Sequence, residues 1–176
     1  MKPWMKGVLI AVIQMILVAS LGGKLLYDRA TLPRVWVRTA HYDPRMPIRG
    51  RYVSLNLVVE PRGFKTDRKG NLQIGWQPVE LKVDGKSLLA EKAPGPARYH
   101  RAALHVRVAR VRDGAKLYVL TRRVNFFIPE DAPDPSRLGK DEQLWVEVSV
   151  PEKGLPRPIR LGVKKGDGPI RPLAVR

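Results

Sequence analysis

Residues 7–23 run without a single charged side chain. As a helix this stretch spans about 25 Å at 1.5 Å per residue, near the lower limit for crossing a bilayer core. It is apolar all round, whereas a helix packed on a soluble core keeps one polar face. Trp4 and Tyr27 flank it where interfacial aromatics are found, and Lys6 and Lys24 stand where their ammonium groups can snorkel. The expected layout is a basic N-terminus over residues 1–6, a transmembrane anchor over 7–27 and a soluble domain over 34–176. Pro33 enforces the helix end. A cleaved signal peptide fits the same start, with Val18-Ala19-Ser20 as its tripeptide; apolar character continuing past Ser20 favours retention. Gln14 and Gly7-x-x-x-Ala11 are packing signals of low specificity.

Beyond the anchor the hydrophobic period changes to two. Val35-Trp36-Val37-Arg38-Thr39 alternates as a short strand. A turn containing Asp43-Pro44, Met46-Pro47 and Gly50 then launches the longest alternating run, with Val53, Leu55, Leu57 and Val59 on one face. Tyr52, Ser54, Asn56 and Glu60 form the other. Asp84-Gly85, Asp113-Gly114 and Asp167-Gly168 each separate two apolar-patterned runs, the strongest local sign of a hairpin. Lys116 to Phe127 reads as one continuous strand, and Leu144, Val146, Val148 and Val150 mark the last strong one. Pro169 and Pro172 suit a sheet edge, where a missing amide donor does no harm. Residues 61–71 read as a basic loop, and residues 129–139 as a proline-rich acidic loop with one helical turn at Ser136. The fold class expected is an N-terminal transmembrane helix followed by a mainly-β domain, a sandwich or open barrel of roughly eight strands built from hairpins.

Gly50-Arg51-Tyr52-Val53-Ser54-Leu55-Asn56-Leu57 resembles the signature of the bacterial GDYXXLXY proteins. Gly50, Tyr52 and Leu55 match it, while Arg51 stands where the family has aspartate and Leu57 where it has its last tyrosine. Val124-Asn125-Phe126-Phe127-Ile128-Pro129-Glu130-Asp131 is similar to the aromatic run ending in proline-glutamate of the same proteins. The resemblance implies a single-pass inner-membrane protein whose C-terminal domain faces the periplasm, and it implies no defined activity. Tyr52, Arg51, Phe126, Phe127 and Glu130 are the candidate interaction residues that it singles out.

Charge bounds the partners. The chain carries a formal +17, which draws it to anionic surfaces. The basic residues are dispersed, and aromatics do not interleave with them as on an RNA-binding sheet, so an anionic lipid surface is favoured over nucleic acid. Lys24, Arg29, Arg34 and Arg38 follow the apolar run and outnumber Lys2 and Lys6 before it. That order favours a cytoplasmic domain under the positive-inside rule, but the rule weakens for long translocated domains. The family layout points to the periplasm.

Catalytic and metal chemistry find few footholds. Cysteine is absent, which excludes disulfides, thiolate ligands and a cysteine nucleophile. His41, His100 and His105 form no His-x-x-x-His pair. Glu130, Asp131 and Asp134 make the densest acidic cluster, better suited to pairing with arginines than to acid–base work. Arg45-Met46-Pro47 and Arg49-Gly50-Arg51 faintly resemble the type I signal peptidases, yet Arg45 occupies the nucleophile position and cannot attack a carbonyl. No catalytic, metal or cofactor-binding residue is assigned, and no cofactor is expected. The function expected is that of a membrane-anchored, non-enzymatic accessory protein, meeting the bilayer and a multi-pass membrane protein. An anchored hydrolase with a cryptic site is the alternative, as is a cytoplasmic-face binder of nucleic acid or anionic lipid.

Overall fold

The computed structural model describes residues 3–40, 51–67, 72–74, 77–93, 104–110, 116–129, 135, 138–139 and 141–174. The turn at Asp43–Gly50, His41, His100, Glu130, Asp131, Asp134, the Asp113-Gly114 dipeptide and the turn at Ser136 lie outside them. Two compact units divide the chain, Met1–Leu32 and Pro33–Arg176.

The first unit is one helix, α1 (Pro3–Thr31), 29 residues long. It outruns the uncharged stretch at both ends and is about 43 Å long at 1.5 Å per residue. Two of its hydroxyls bond back to the helix. The Ser20 hydroxyl donates to the Leu17 carbonyl at 2.8 Å, and the Thr31 hydroxyl donates to that of Tyr27 at 2.8 Å. The most apolar 18-residue window within Trp4–Thr31 has a mean hydropathy of 2.1, and none of that window is buried. Pro33 follows two residues after Thr31 and stops the helix, as its missing amide donor dictates.

The second unit is mainly β. A six-stranded sheet has the order β11-β10-β9-β1-β2-β8, and a five-stranded sheet the order β3-β5-β4-β6-β7. The strands are β1 (Arg34–Ala40), β2 (Arg51–Leu57), β3 (Glu60–Arg62), β4 (Pro78–Asp84), β5 (Ser87–Lys92) and β6 (Leu104–Arg110). They continue with β7 (Lys116–Leu120), β8 (Val124–Ile128), β9 (Glu142–Ser149), β10 (Arg157–Lys165) and β11 (Arg171–Pro172). All pairs are antiparallel except β3 with β5.

The described residues form more strands than the roughly eight expected, in part because two alternating runs change sheets partway. The run from Tyr52 leaves the six-stranded sheet after Leu57, bridges Val58 to Val119 and re-emerges as β3 in the other sheet. The run from Lys116 does the reverse. It breaks at Thr121–Arg123, between β7 in one sheet and β8 in the other. These two departures lie side by side, since the Val59 amide donates to the Tyr118 carbonyl at 2.8 Å. They make one corner joining the sheets. The six-stranded sheet curls so far that Cα atoms of β8 and β10 come within 8 Å, giving a half-barrel in place of a flat sandwich.

The core lies in the concavity. Val53, Leu55, Leu57 and Val59 are all buried, as the period of two requires, and meet Val35, Val37, Leu120, Val146, Val148 and Leu161. Leu55, Leu57, Leu120 and Leu161 are wholly excluded from solvent, a burial worth about 2–3 kcal/mol for each side chain.

Turn chemistry refines two of the hairpins. Asp84 pairs with Ser87, so the loop between β4 and β5 is Gly85-Lys86, one residue later than Asp84-Gly85. Gly85 takes φ +57° while Lys86 stays at negative φ, the arrangement that places glycine first in the turn. At the last hairpin Gly166 takes φ +51°. The strand after it shrinks to Arg171–Pro172, because Pro169 and Pro172 supply no ladder donors.

Candidate interaction surface

The candidate residues converge on the β2–β8 pair. Its register places Arg51 opposite Ile128, Tyr52 opposite Phe127, Val53 opposite Phe126, Ser54 opposite Asn125 and Leu55 opposite Val124. Alternation then sorts them by face. Phe126 packs half-buried against the core beside Val53, and is a structural side chain. Tyr52 and Phe127 project outward, 51% and 62% exposed, with ring centroids 6.2 Å apart at 67°. Beside them the Ser54 hydroxyl donates to Asn125 Oδ1 at 2.7 Å. Next along β2, Asn56 is 6% exposed although it faces outward. The chain bends there, and Arg107 of β6 reaches across the corner to donate to Asn56 Oδ1 at 3.4 Å. Of the five candidates, Tyr52 and Phe127 thus form one outward feature and Phe126 belongs to the core. Arg51 is placed by its backbone register, and Glu130 lies outside the described residues.

A second outward cluster sits on β1, β9 and β10. Trp36 pairs with Glu147, and Glu147 with Arg160, in one row across the three strands. The Glu147 side chain is only 11% exposed, and Arg160 Nε donates to its carboxylate at 2.5 Å. The Arg160 guanidinium also lies over the Trp36 ring, 5.3 Å from its centroid. One row further, Lys164 Nζ stands 5.6 Å from the Trp145 ring centroid. Gly162, paired with Trp145, makes room for this arrangement. A Cβ there would meet Ile170 Cγ2 at 2.8 Å, Trp36 Cζ3 at 2.9 Å and the Arg171 carbonyl oxygen at 3.0 Å. Trp145 Nε1 is buried and has no acceptor among the described residues.

Sequence reasoning missed this cluster. Its signal was the shared parity of Arg34-Val-Trp36-Val-Arg38 and Trp145-Val-Glu147, both placing aromatic and charged residues on the strand face away from the valines. Only the pairing shows that the two outward rows adjoin.

Among the described residues no group of three or more His, Asp or Glu side chains gathers as a metal site. His105 is half-buried on β6, in an outward position between Leu104 and Val106. Comparison of the chain with family models, curated proteins and solved structures finds no significant match.

Proposed function

We propose that the chain is a single-pass inner-membrane protein that presents a basic β domain to the periplasm and acts as a non-enzymatic accessory to a neighbouring multi-pass membrane protein. The observation that carries this reading is α1. It is a helix of 29 residues whose stretch 7–23 holds no charge and whose side-chain hydroxyls bond back to its own carbonyls, as a non-aqueous environment demands. At about 43 Å it covers the hydrocarbon core and part of both interfacial layers. Trp4 at one end and Tyr27 towards the other are exposed, at 65% and 69%, where interfacial aromatics are favoured. The resemblance of residues 50–57 and 124–131 to the GDYXXLXY proteins supports the outward orientation. The Tyr52–Phe127 pair is the contact offered to the partner, since exposed aromatics anchor interfaces more often than they occur on idle surface.

The test is protease accessibility of a C-terminal tag in spheroplasts, read by size after membrane fractionation. A full-length, membrane-bound and protease-sensitive tag is expected. A tag protected until lysis would place the domain in the cytoplasm, and a shortened, soluble product would show that α1 is a removed signal.

A further inference from the structure

Two polar side chains interrupt the uncharged stretch 7–23, Gln14 and Ser20. Ser20 is satisfied by its own helix, donating to the Leu17 carbonyl at 2.8 Å. The Gln14 amide offers two N–H donors and a carbonyl acceptor, and has no partner among the described residues. It stands one residue from Met15, the midpoint of the stretch, a distance of about 1.5 Å along the axis. A bilayer core is about 30 Å thick, so either interface lies about 15 Å away, beyond the reach of a glutamine side chain. With α1 as a span, the amide is held in hydrocarbon, where an unpaired donor and acceptor are costly. A second helix is what can satisfy it there.

The helix face around Gln14 suits close approach. Gly7, Ala11, Gln14, Val18, Leu21 and Leu25 follow one another at spacings of four, three, four, three and four, the seam of a left-handed helix pair. All six are exposed, and a Cβ at Gly7 would meet nothing within 4 Å. Small side chains at Gly7 and Ala11 let two axes come near enough for a glutamine amide to span the gap. The amide itself identifies the occupant. Being both donor and acceptor, two copies of Gln14 satisfy each other across a two-fold axis, Nε2 of each donating to Oε1 of the other. A single-pass chain inserts in one orientation, which makes such a pair parallel and sets position 14 beside position 14. A different membrane protein would have to supply a matching polar group of its own.

We infer that α1 pairs with α1 of a second copy of this chain in a parallel dimer, held by reciprocal hydrogen bonds between the two Gln14 side chains. This rests on the reading of α1 as a membrane span and gives that span a partner of its own. The single amide also fixes the register, as a lone polar residue does in a coiled coil, because any slip along the seam strands both amides among valine and leucine. A parallel pair delivers both β domains to one side of the membrane, and so offers a partner two copies of the Tyr52–Phe127 contact.

The test uses the full chain, which has no cysteine, in vesicles of phosphatidylcholine and phosphatidylglycerol, with incorporation checked by flotation. Val18→Cys and Ala19→Cys each place one thiol at nearly the same depth, the first on the seam and the second about 100° around the helix from it. Under mild oxidant, Val18→Cys should form linked dimers severalfold faster than Ala19→Cys, and adding Gln14→Leu should remove the difference. Leucine keeps the helix and its insertion, so the loss reads the amide and not the span. Sedimentation equilibrium in density-matched micelles should show a dimer weakened about tenfold by Gln14→Leu, the effect of two lost interhelical hydrogen bonds. Gln14→Asn should largely recover it. A parent chain that stays monomeric, equal dissociation constants for the parent and Gln14→Leu, or faster linkage at position 19 overturns the Gln14 pair. A chain monomeric in vesicles that photo-crosslinks through position 18 to a heavier protein in native membranes gives the seam to another membrane protein. Failure to float with the vesicles sinks the span reading itself, and is thereby distinguished from a span that inserts and stays single.

Discussion

Tyr52 and Phe127 lie directly opposite each other on the outer face of the β2–β8 pair, edge to face, with centroids 6.2 Å apart. Such a pair adds about 0.5–1.5 kcal/mol beyond the area it buries. Both rings are more than half exposed, so the value belongs near the lower end. Alanine at either position is expected to destabilise the full-length chain in detergent by about 1 kcal/mol and to leave the fold intact. The double variant should cost less than the sum, with a coupling of about 0.5 kcal/mol in urea unfolding. Strict additivity would show that the rings share a face without interacting. The same variants, folded yet unable to co-purify a membrane partner, would assign the pair to binding.

Gly162 sits where any side chain would collide. Gly162→Ala places a methyl 2.9 Å from Trp36 Cζ3 and 3.0 Å from the Arg171 carbonyl oxygen. The indole can rotate, but the backbone of β11 must shift. Overpacking of this kind costs about 1–3 kcal/mol. Thermal unfolding should show the loss, and adding Trp36→Leu should recover only part of it. Full recovery would mean that the β11 backbone yields freely.

The alternation of Val53, Leu55 and Leu57 was legible because a strand with one buried face needs only its own sequence to declare that face. The corner was not legible. Leu57, Val58 and Val59 keep the alternation going while the backbone passes from one sheet to the other, so the hydrophobic period carries no mark of the switch. At Thr121-Arg122-Arg123 a mark exists, three polar exposed residues in a row, yet apolar residues on both sides make a single strand the simpler reading. Phe126 and Phe127 show the same limit for the candidate site. Adjacent in sequence, they fall on opposite faces, and only the register with Tyr52 and Val53 says which ring reaches solvent. Trp36 and Trp145 sat in correctly read strands, but their outward cluster depends on β1, β9 and β10 being neighbours, a long-range fact that no local pattern encodes.

Lys82 offers a pH test. Its ammonium donates to Glu91 Oε2 at 2.7 Å, and that hydrogen bond and the Glu91 charge raise its pKa above the ordinary 10.5. A cation with a raised folded pKa contributes stability that is complete below its unfolded value and disappears as pH rises through the folded one. Lys82→Gln should therefore melt slightly below the parent chain at pH 8, and the gap should close as pH rises past the ordinary lysine range and through the raised folded value. Because the pair is exposed, 1 M salt at pH 8 should close it as well. A gap that persists in high salt would trace the effect to lost packing of the lysine stem.

Arg160 and Glu147 form an ion pair across β9 and β10 whose two environments are unequal. The Glu147 side chain is 11% exposed and Arg160 is 53% exposed. Removing the arginine strands a carboxylate beneath Trp36, whereas removing the carboxylate leaves a guanidinium that water can reach. Breaking one side of a fully buried pair costs about 3–5 kcal/mol, and the exposure of Arg160 reduces this to about 1–3 kcal/mol. Arg160→Met is thus expected to lose more stability than Glu147→Gln, and the double variant should be more stable than Arg160→Met alone. Arg160→Lys should restore only part of the lost stability, since an ammonium cannot both bond the carboxylate and lie flat over the indole. Equal losses from the two single variants would mean that solvent reaches Glu147 once Arg160 is gone.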